Sequence, residues 1–220
     1  MSAKMIYLAR RNPALTAAQF PQAWREHSAL GAGCTNVRDK VLSVTQCSRV
    51  LDAPALPGTT TDYDGVNLLR LRDRDCASAI WSDPETLAIM RPDEPRVFST
   101  YVREFTLVCE ETVLRDLPRG ACCLFGFLRS AAPGLGLEGI GPDLLDRPGA
   151  RRLVWNAVCE APPPGYDYAA IAEWWFDDVD AAGRALAGAD PRVGLAPALA
   201  ARIDAARSVF VLTQVTHSRP

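Results

Sequence analysis

Histidine and lysine are scarce in this sequence: each occurs only twice in 220 residues, as His27 and His217 and as Lys4 and Lys40. With so few histidines, a histidine-based metal centre is not expected. The formal net charge is −2, so the chain lacks the concentrated basic surface that binding to nucleic acid needs. No apolar run approaches the roughly 20 residues of a membrane span, and the N-terminus lacks the apolar core of a signal peptide. We therefore expect a cytoplasmic protein without a membrane partner.

Cysteine pairs, nucleotide-binding loops and hydrolase motifs are also missing. An odd number of cysteines without a C-x-x-C pair predicts reduced thiols that pack as small apolar residues. The seven are Cys34, Cys47, Cys76, Cys109, Cys122, Cys123 and Cys159. Gly134-x-Gly136 and Gly139-x-Gly141 lack the spacing and the βαβ context of a dinucleotide site. Gly-x-Ser-x-Gly is absent. These absences argue against nucleotide binding and against an α/β-hydrolase.

What the first half does contain is an ordered series of β-prone and helical segments. Strands are predicted at 5–11, 41–51, 63–71 and 98–110, and helices at 17–32, 73–81 and from Pro84. The order β-α-β-β-α-β is that of the ferredoxin-like arrangement, an antiparallel sheet with helices on one face.

The same order recurs after a charged segment at 111–119, which we interpret as a linker. Strands are predicted at 121–129, 151–160, 166–176 and 208–216, and helices after Asp177 or Asp178 and at 197–206. Tyr63-Asp64 matches Tyr166-Asp167, which supports an internal repeat. In the glycine- and proline-rich segment 133–142, the first helix of this half is expected to be short or irregular, with no counterpart of Trp24 or His27. We therefore predict two α+β domains, 1–112 and 120–220, the second being a scaffold copy of the first.

The predicted helix at 17–32 carries the most informative pattern. Thr16 and Gln19 form a capping-box pair at its start. Phe20, Trp24 and His27 follow at positions i, i+4 and i+7, so their side chains project from one face of the helix. One of only two histidines thus lies in line with two large aromatic side chains on the inward face.

Two interpretations of His27 remain open at this stage. An inward histidine can be a structural core residue, bonded to a backbone carbonyl or to Asp64. It can also be a general acid or base, because its unperturbed pKa of about 6.5 lies close to working pH. His217, three residues from the C-terminus, is predicted to lie at the surface.

Several segments of the first half resemble EthD-type domains. The resemblance rests on the strand at 6–11, on Trp24-Arg-Glu-His27, on Tyr63-Asp-Gly65 and on Asp93-Glu-Pro-Arg-Val-Phe98. It covers residues 4–112 well and 121–217 only in the order of elements. It implies the dimeric α+β barrel fold, here two tandem ferredoxin-like domains that form an intramolecular pseudo-dimer. An antiparallel sheet with helices on one face leaves its other face to be covered, and a second copy covers it.

The resemblance also implies a type of chemistry, since relatives include oxygenases of aromatic polyketides, dehydratases, cyclases and isomerases. We therefore expect an enzyme that acts on a small apolar or aromatic molecule by general acid/base catalysis at His27, with no metal and no organic cofactor. Phe20 and Trp24 would form a wall for the substrate. Tyr101 and Arg103, expected on one face of the closing strand, would hold a carboxylate or phenolate.

Alternatives to this expectation remain. The chain can be a non-catalytic small-molecule carrier or an accessory protein of an oxygenase pathway. Haem binding through His27 is a further alternative, since relatives in this broad fold include haem-degrading enzymes, but a single histidine is its whole support here. Association of the pseudo-dimer into a homodimer is left open.

Overall fold

The computed structural model describes residues 2–53, 56–132 and 135–220, with the side chain of Asn36 left out. Positions 54–55, between the strands predicted at 41–51 and 63–71, and positions 133–134 of the glycine- and proline-rich segment lie outside the described residues.

Eight strands and seven helices form the described structure. The strands are β1 (Ser2–Ala9), β2 (Val41–Arg49), β3 (Gly65–Leu71), β4 (Thr106–Arg115), β5 (Cys122–Leu128), β6 (Arg152–Val158), β7 (Ala170–Phe176) and β8 (Val209–Arg219). The helices are α1 (Phe20–Gly33), α2 (Thr35–Arg38), α3 (Asp75–Ser82), α4 (Glu94–Val97), α5 (Pro142–Leu145), α6 (Val179–Leu186) and α7 (Pro197–Ala200). A π-helical turn spans Thr86–Met90, and a 3-10 turn spans Val102–Phe105.

The eight strands close into one antiparallel barrel in the order β1-β3-β2-β8-β5-β7-β6-β4. The first four strands in sequence are contiguous in the order β4-β1-β3-β2, and the last four in the order β8-β5-β7-β6. Two pairings, β2 with β8 and β4 with β6, join these groups. Closure leaves no free sheet edge, which removes the row of unpaired backbone groups that an open sheet presents.

Side chains from alternate strand positions fill the barrel interior, while the opposite positions face the helices. Ile6 and Leu8 of β1 point inward, whereas Met5 and Tyr7 pack under α1. In β7, Trp175 lies in the barrel interior and Trp174 packs in the outer core of the second half. The molecule therefore has one inner core shared by both halves and one outer core under the helices of each half.

Two predicted strand boundaries are wrong, and both errors have a tertiary cause. The closing strand begins at Thr106 rather than 98, because the backbone N–H of Val102 donates to the buried Glu94 carboxylate instead of a strand partner. The same strand continues through Arg115, where the sequence predicted a linker, because residues 109–115 pair with β6 of the second half.

Two predictions for the second half also need correction. The helix predicted at 197–206 spans only Pro197–Ala200. His217 is not a frayed surface residue: it lies in β8 opposite Gln46, and it is half-buried. The short first helix of this half, α5, has four residues, in line with its glycine- and proline-rich surroundings.

The sequence matched Tyr63-Asp64 with Tyr166-Asp167, but the backbone hydrogen bonds place the match two residues later. The N–H of Asp64 donates to the carbonyl of Ala9, and the N–H of Ala169 donates to the carbonyl of Leu128. The residue before each donor, Tyr63 or Tyr168, therefore holds the same place at the mouth of the barrel. Tyr63 corresponds to Tyr168 and not to Tyr166.

Candidate active site

Helix α1 brings His27 to the outer face of β1, β2 and β3. The Thr16 N–H donates to Gln19 Oε1 at 2.8 Å and the Gln19 N–H lies 3.3 Å from Thr16 Oγ1, so the two predicted hydrogen bonds are present. They lie in the turn before the helix, however, and the N-cap is Gln19 rather than Thr16. Regular helix starts at Phe20, whose ring stacks on Trp24 with centroids 4.9 Å apart. His27 is 5% exposed. The three side chains thus face inward, as the spacing indicated.

The partner of His27 is Asp93. His27 Nδ1 lies 2.9 Å from Asp93 Oδ2, and Arg96 holds the same carboxylate through Nε at 2.6 Å. The alternative prediction that His27 bonds to Asp64 is wrong. Asp64 lies at the mouth of the barrel and pairs with Arg11. A carboxylate on Nδ1 favours the tautomer in which Nδ1 carries the proton, which leaves Nε2 as the basic nitrogen.

The surroundings lower the pKa of both members of this pair, for different physical reasons. Burial lowers the pKa of His27 below its usual value, although the hydrogen bond and charge of Asp93 act in the other direction. The Arg96 hydrogen bonds lower the pKa of Asp93, against the effect of its burial. At neutral pH the pair is therefore a neutral imidazole beside a carboxylate, the state that a general base requires.

A cavity of about 60 Å³ lies between α1, α3, the π-helical turn and the sheet. Its polar lining residues are Tyr7, His27, Ser28, Gln46, Asn67, Thr86, Glu94 and Arg219. Trp24, Trp81 and Met90 form part of its apolar wall. The predicted cavity between helix and sheet thus exists, with both His27 and Trp24 in its wall.

Glu94 places a second titratable group in this cavity, next to Asp93 in sequence. It is 3% exposed, and its Oε2 accepts the Val102 N–H at 2.8 Å. Burial raises the pKa of the Glu94 carboxyl, while the Val102 N–H and the charge of Arg91 oppose the rise. A buried carboxyl with a raised pKa is suited to hold and donate a proton.

Three of the predicted site residues lie outside the cavity. Phe20 packs behind Trp24 and contacts Phe98 rather than the open space. Tyr101 and Arg103 do not share a strand face, because they lie before and within the 3-10 turn, and both are exposed. Tyr101 instead carries the Arg91 guanidinium 4.1 Å above its ring. Their predicted role in binding a carboxylate or phenolate at this cavity is therefore wrong.

Sequence reasoning missed most of the polar lining. Asp93 and Glu94 stood in the Asp-Glu-Pro-Arg segment, which carried the family resemblance but was assigned no chemistry. Gln46 and Asn67 are polar residues at helix-facing positions of apolar strands, 1% and 4% exposed. A buried polar residue in an apolar strand is a usable signal, because it needs a hydrogen-bond partner.

The fold and site together define an α+β barrel protein with a histidine-lined cavity under its first long helix. Residues 12–100 match the family model of the EthD domain. The first half of the chain is therefore similar to EthD domains, as the sequence indicated. The match ends before the second half, and no curated protein matches the chain.

Solved structures with the same fold span nearly the whole chain. A Fusobacterium nucleatum protein provisionally described as a monooxygenase is 7% identical, with a TM-score of 0.52 and coverage of 99% of this chain and 93% of that one. A chlorite dismutase variant of Candidatus Nitrospira defluvii is 9% identical, with a TM-score of 0.50 and coverage of 97% and 91%. At these identities the likeness establishes the fold alone.

The expectation of a protein without any cofactor does not stand, because chlorite dismutases, which share the fold, are haem enzymes. The His27 cavity itself does not fit a haem. It measures about 60 Å³, against roughly 300–1,000 Å³ for pockets that enclose drug-sized ligands. We therefore assign no step to a haem in this cavity.

The described residues contain neither a metal-binding cluster nor a membrane-spanning helix. Within the part of the chain that the structure describes, no three His, Cys, Asp or Glu residues are grouped so that they could bind a metal ion. Over the same residues, none of the helices has the length and apolar character required to cross a membrane.

Proposed function

We propose that the protein is an enzyme that acts by general acid/base chemistry on a small aromatic or polyketide-like molecule. The observation that carries the proposal is the Asp93–His27 pair at the wall of a buried cavity. Removal of an acidic C–H or O–H proton by His27 would serve dehydration, cyclisation, isomerisation or oxygenation. A cytoplasmic location and a homodimer of the whole chain stay predictions.

In the proposed mechanism, His27 Nε2 takes the proton while Nδ1–H donates to Asp93. The Asp93 carboxylate stabilises the imidazolium that forms and keeps the ring oriented. Glu94, whose pKa is raised by burial, gives a proton to the oxygen of the substrate on which negative charge develops. The two groups then regain their starting states by proton exchange with solvent.

The size of the cavity implies a movable wall. A ring-sized ligand needs more space, since a cavity of roughly 150 Å³ holds benzene. Met90 is the adaptable part of this wall: a Cβ built at Gly31 would meet its Cε at 2.9 Å, so the side chain lies close against α1. Methionine has three flexible side-chain bonds, and we propose that Met90 swings aside to admit the substrate.

The two histidines supply a matched test. His27→Gln should reduce turnover of the true substrate by at least 100-fold, the usual contribution of a general base, and leave the thermal transition nearly unchanged. His217→Gln should retain activity. Candidate substrates would be incubated with each variant and the products followed by mass spectrometry. Full activity in folded His27→Gln would remove the proposal.

The rival proposal is a non-catalytic carrier or accessory protein. A carrier would use the same cavity. It would bind its ligand saturably and release it chemically unchanged. Recovery of an unaltered ligand at stoichiometric occupancy, with no product from any tested compound of that class, would favour the carrier.

We also propose that residues 1–112 and 120–220 are two copies of one βαββαβ unit, arranged as an intramolecular pseudo-dimer. The same strand order in each half supports this. So do two equivalent contacts at the mouth of the barrel: Arg10 lies 4.1 Å from the ring centroid of Tyr63, and Arg129 lies 4.6 Å from that of Tyr168. The second copy, without a counterpart of His27, would be a scaffold.

A further inference from the structure

The floor of the His27 cavity is a row of polar side chains on three adjacent strands. Tyr7 of β1 pairs in register with Asn67 of β3, and Asn67 pairs with Gln46 of β2. Residues paired in this way point to the same face of the sheet. All three line the cavity, and each is at least nine-tenths buried.

Two oxygens of this floor lack a hydrogen-bond donor. Gln46 Nε2 donates to the Trp24 carbonyl at 3.2 Å, which fixes the orientation of the amide because a carbonyl only accepts. Gln46 Oε1 and Asn67 Oδ1 are buried, and no described residue donates to them. The same holds for Thr86 Oγ1 on the π-helical turn. A buried acceptor without a donor is destabilising, so native proteins rarely keep one without cause.

The placement of these atoms points to a ligand rather than to imperfect packing. Among the described residues, the other buried side-chain oxygens without a hydrogen-bond partner are Glu111 Oε2, which forms an ion pair, and Asn156 Oδ1. Both belong to the barrel interior. The other three oxygens, those of Gln46, Asn67 and Thr86, come from separate elements of the chain and converge on the cavity that contains His27.

We propose that the substrate of this cavity binds through two O–H groups, one donating to Gln46 Oε1 and the other to Asn67 Oδ1. The inference rests on the proposed function and narrows its substrate class. Adjacent strands lie about 4.8 Å apart, so the two acceptors suit hydroxyls in a 1,3 relation on one ring. A 1,3-dihydroxybenzene, or the enol form of a cyclic 1,3-diketone, has this arrangement, and its ring would lie between the sheet and Trp24.

The test uses resorcinol as the probe and 1,3-dimethoxybenzene as its matched control, which has the same ring without donors. Binding to the purified protein would be measured by calorimetry. Resorcinol should bind saturably and at least tenfold more tightly than the dimethoxy compound, the ratio expected for loss of buried hydrogen bonds. Gln46→Met and Asn67→Leu should each reduce resorcinol affinity about tenfold and leave that of the control compound unchanged.

A second variant shows whether the native cavity is simply too narrow for resorcinol to enter. Met90→Ala enlarges it and should raise the affinity for resorcinol without removing the preference for it. Equal affinity for the two compounds, or no resorcinol binding to either the native protein or Met90→Ala, would overturn the inference. Turnover by the native protein separates the inference from the proposed function: donor-dependent binding with no turnover of any 1,3-dihydroxy compound by the native protein would sustain the recognition and defeat the catalysis.

Discussion

Replacement of Lys4 by methionine tests how the barrel interior is held together. Lys4 is fully buried, and its Nζ lies 2.8 Å from Glu173 Oε1 and forms a second ion pair with Glu111. Glu173 also accepts from Asn156 Nδ2 at 2.9 Å and from Trp175 Nε1 at 2.7 Å. Lys4 and Glu111 come from the first half and the other three from the second. The cation thus links the two halves inside the barrel.

The expected loss of stability is large because methionine keeps the volume of lysine but removes its charge. Two carboxylates then remain in the interior without their cation. Breaking a buried ion pair from one side typically costs about 3–5 kcal/mol. We expect the free energy of unfolding to fall by about that amount at pH 8.

The loss should depend on pH in a definite direction. Burial alone would raise the pKa of Glu173, but the charges of Lys4 and Arg119 and the bonds from Lys4 and Trp175 hold it below its usual value. In the native protein, Glu173 therefore stabilises the fold above about pH 4.5, near the pKa of an unfolded glutamate. Without Lys4, burial dominates and the pKa rises. The difference in the free energy of unfolding between the native protein and Lys4→Met should therefore become smaller as pH falls from 8 to 5.

Urea unfolding followed by circular dichroism at pH 5, 6.5 and 8 would measure this difference. The matched control is Lys40→Met, whose lysine is partly exposed and lies 3.4 Å from Asp83; we expect a loss of about 1 kcal/mol. Lys4→Met combined with Glu173→Gln should recover part of the stability, because glutamine can still accept from Trp175. A Lys4→Met loss below about 1 kcal/mol, or one that is independent of pH, would refute the reasoning.

Two further predictions concern the site and its support. Asp93→Asn removes the negative charge that raises the pKa of His27, so this pKa should fall further, as measured by a proton NMR titration; an unchanged or higher value would contradict the assigned pairing. Gly65→Ala should lower stability by about 1–3 kcal/mol in thermal unfolding, because the new Cβ would lie 2.6 Å from the Trp24 ring and 2.7 Å from the Cys47 carbonyl oxygen. A thermal transition equal to that of the native protein would show that β3 and α1 can move apart at this point.

Local patterns identified the elements but not their ends. The alternation of apolar residues and the Thr16–Gln19 capping box are set within a few neighbouring residues, so β1 and α1 were predictable. Residues 111–115 read as a linker because their strand partners lie about 40 residues further on, in β6. The match of Tyr63 with Tyr166 failed for a related reason, since only the backbone bonds at the mouth of the barrel show that Tyr168 is the counterpart.

The sequence by itself determined the helical face that carries Trp24 and His27, because the 3.6-residue period fixes which side chains share a face. It also indicated the similarity of the first half to EthD domains. Only the tertiary structure decided that Asp93, 66 positions away, holds His27, and that Gln46 and Asn67 form the floor beneath it. Those contacts join segments distant in the chain, and strand register and barrel closure, rather than any local pattern, bring them together.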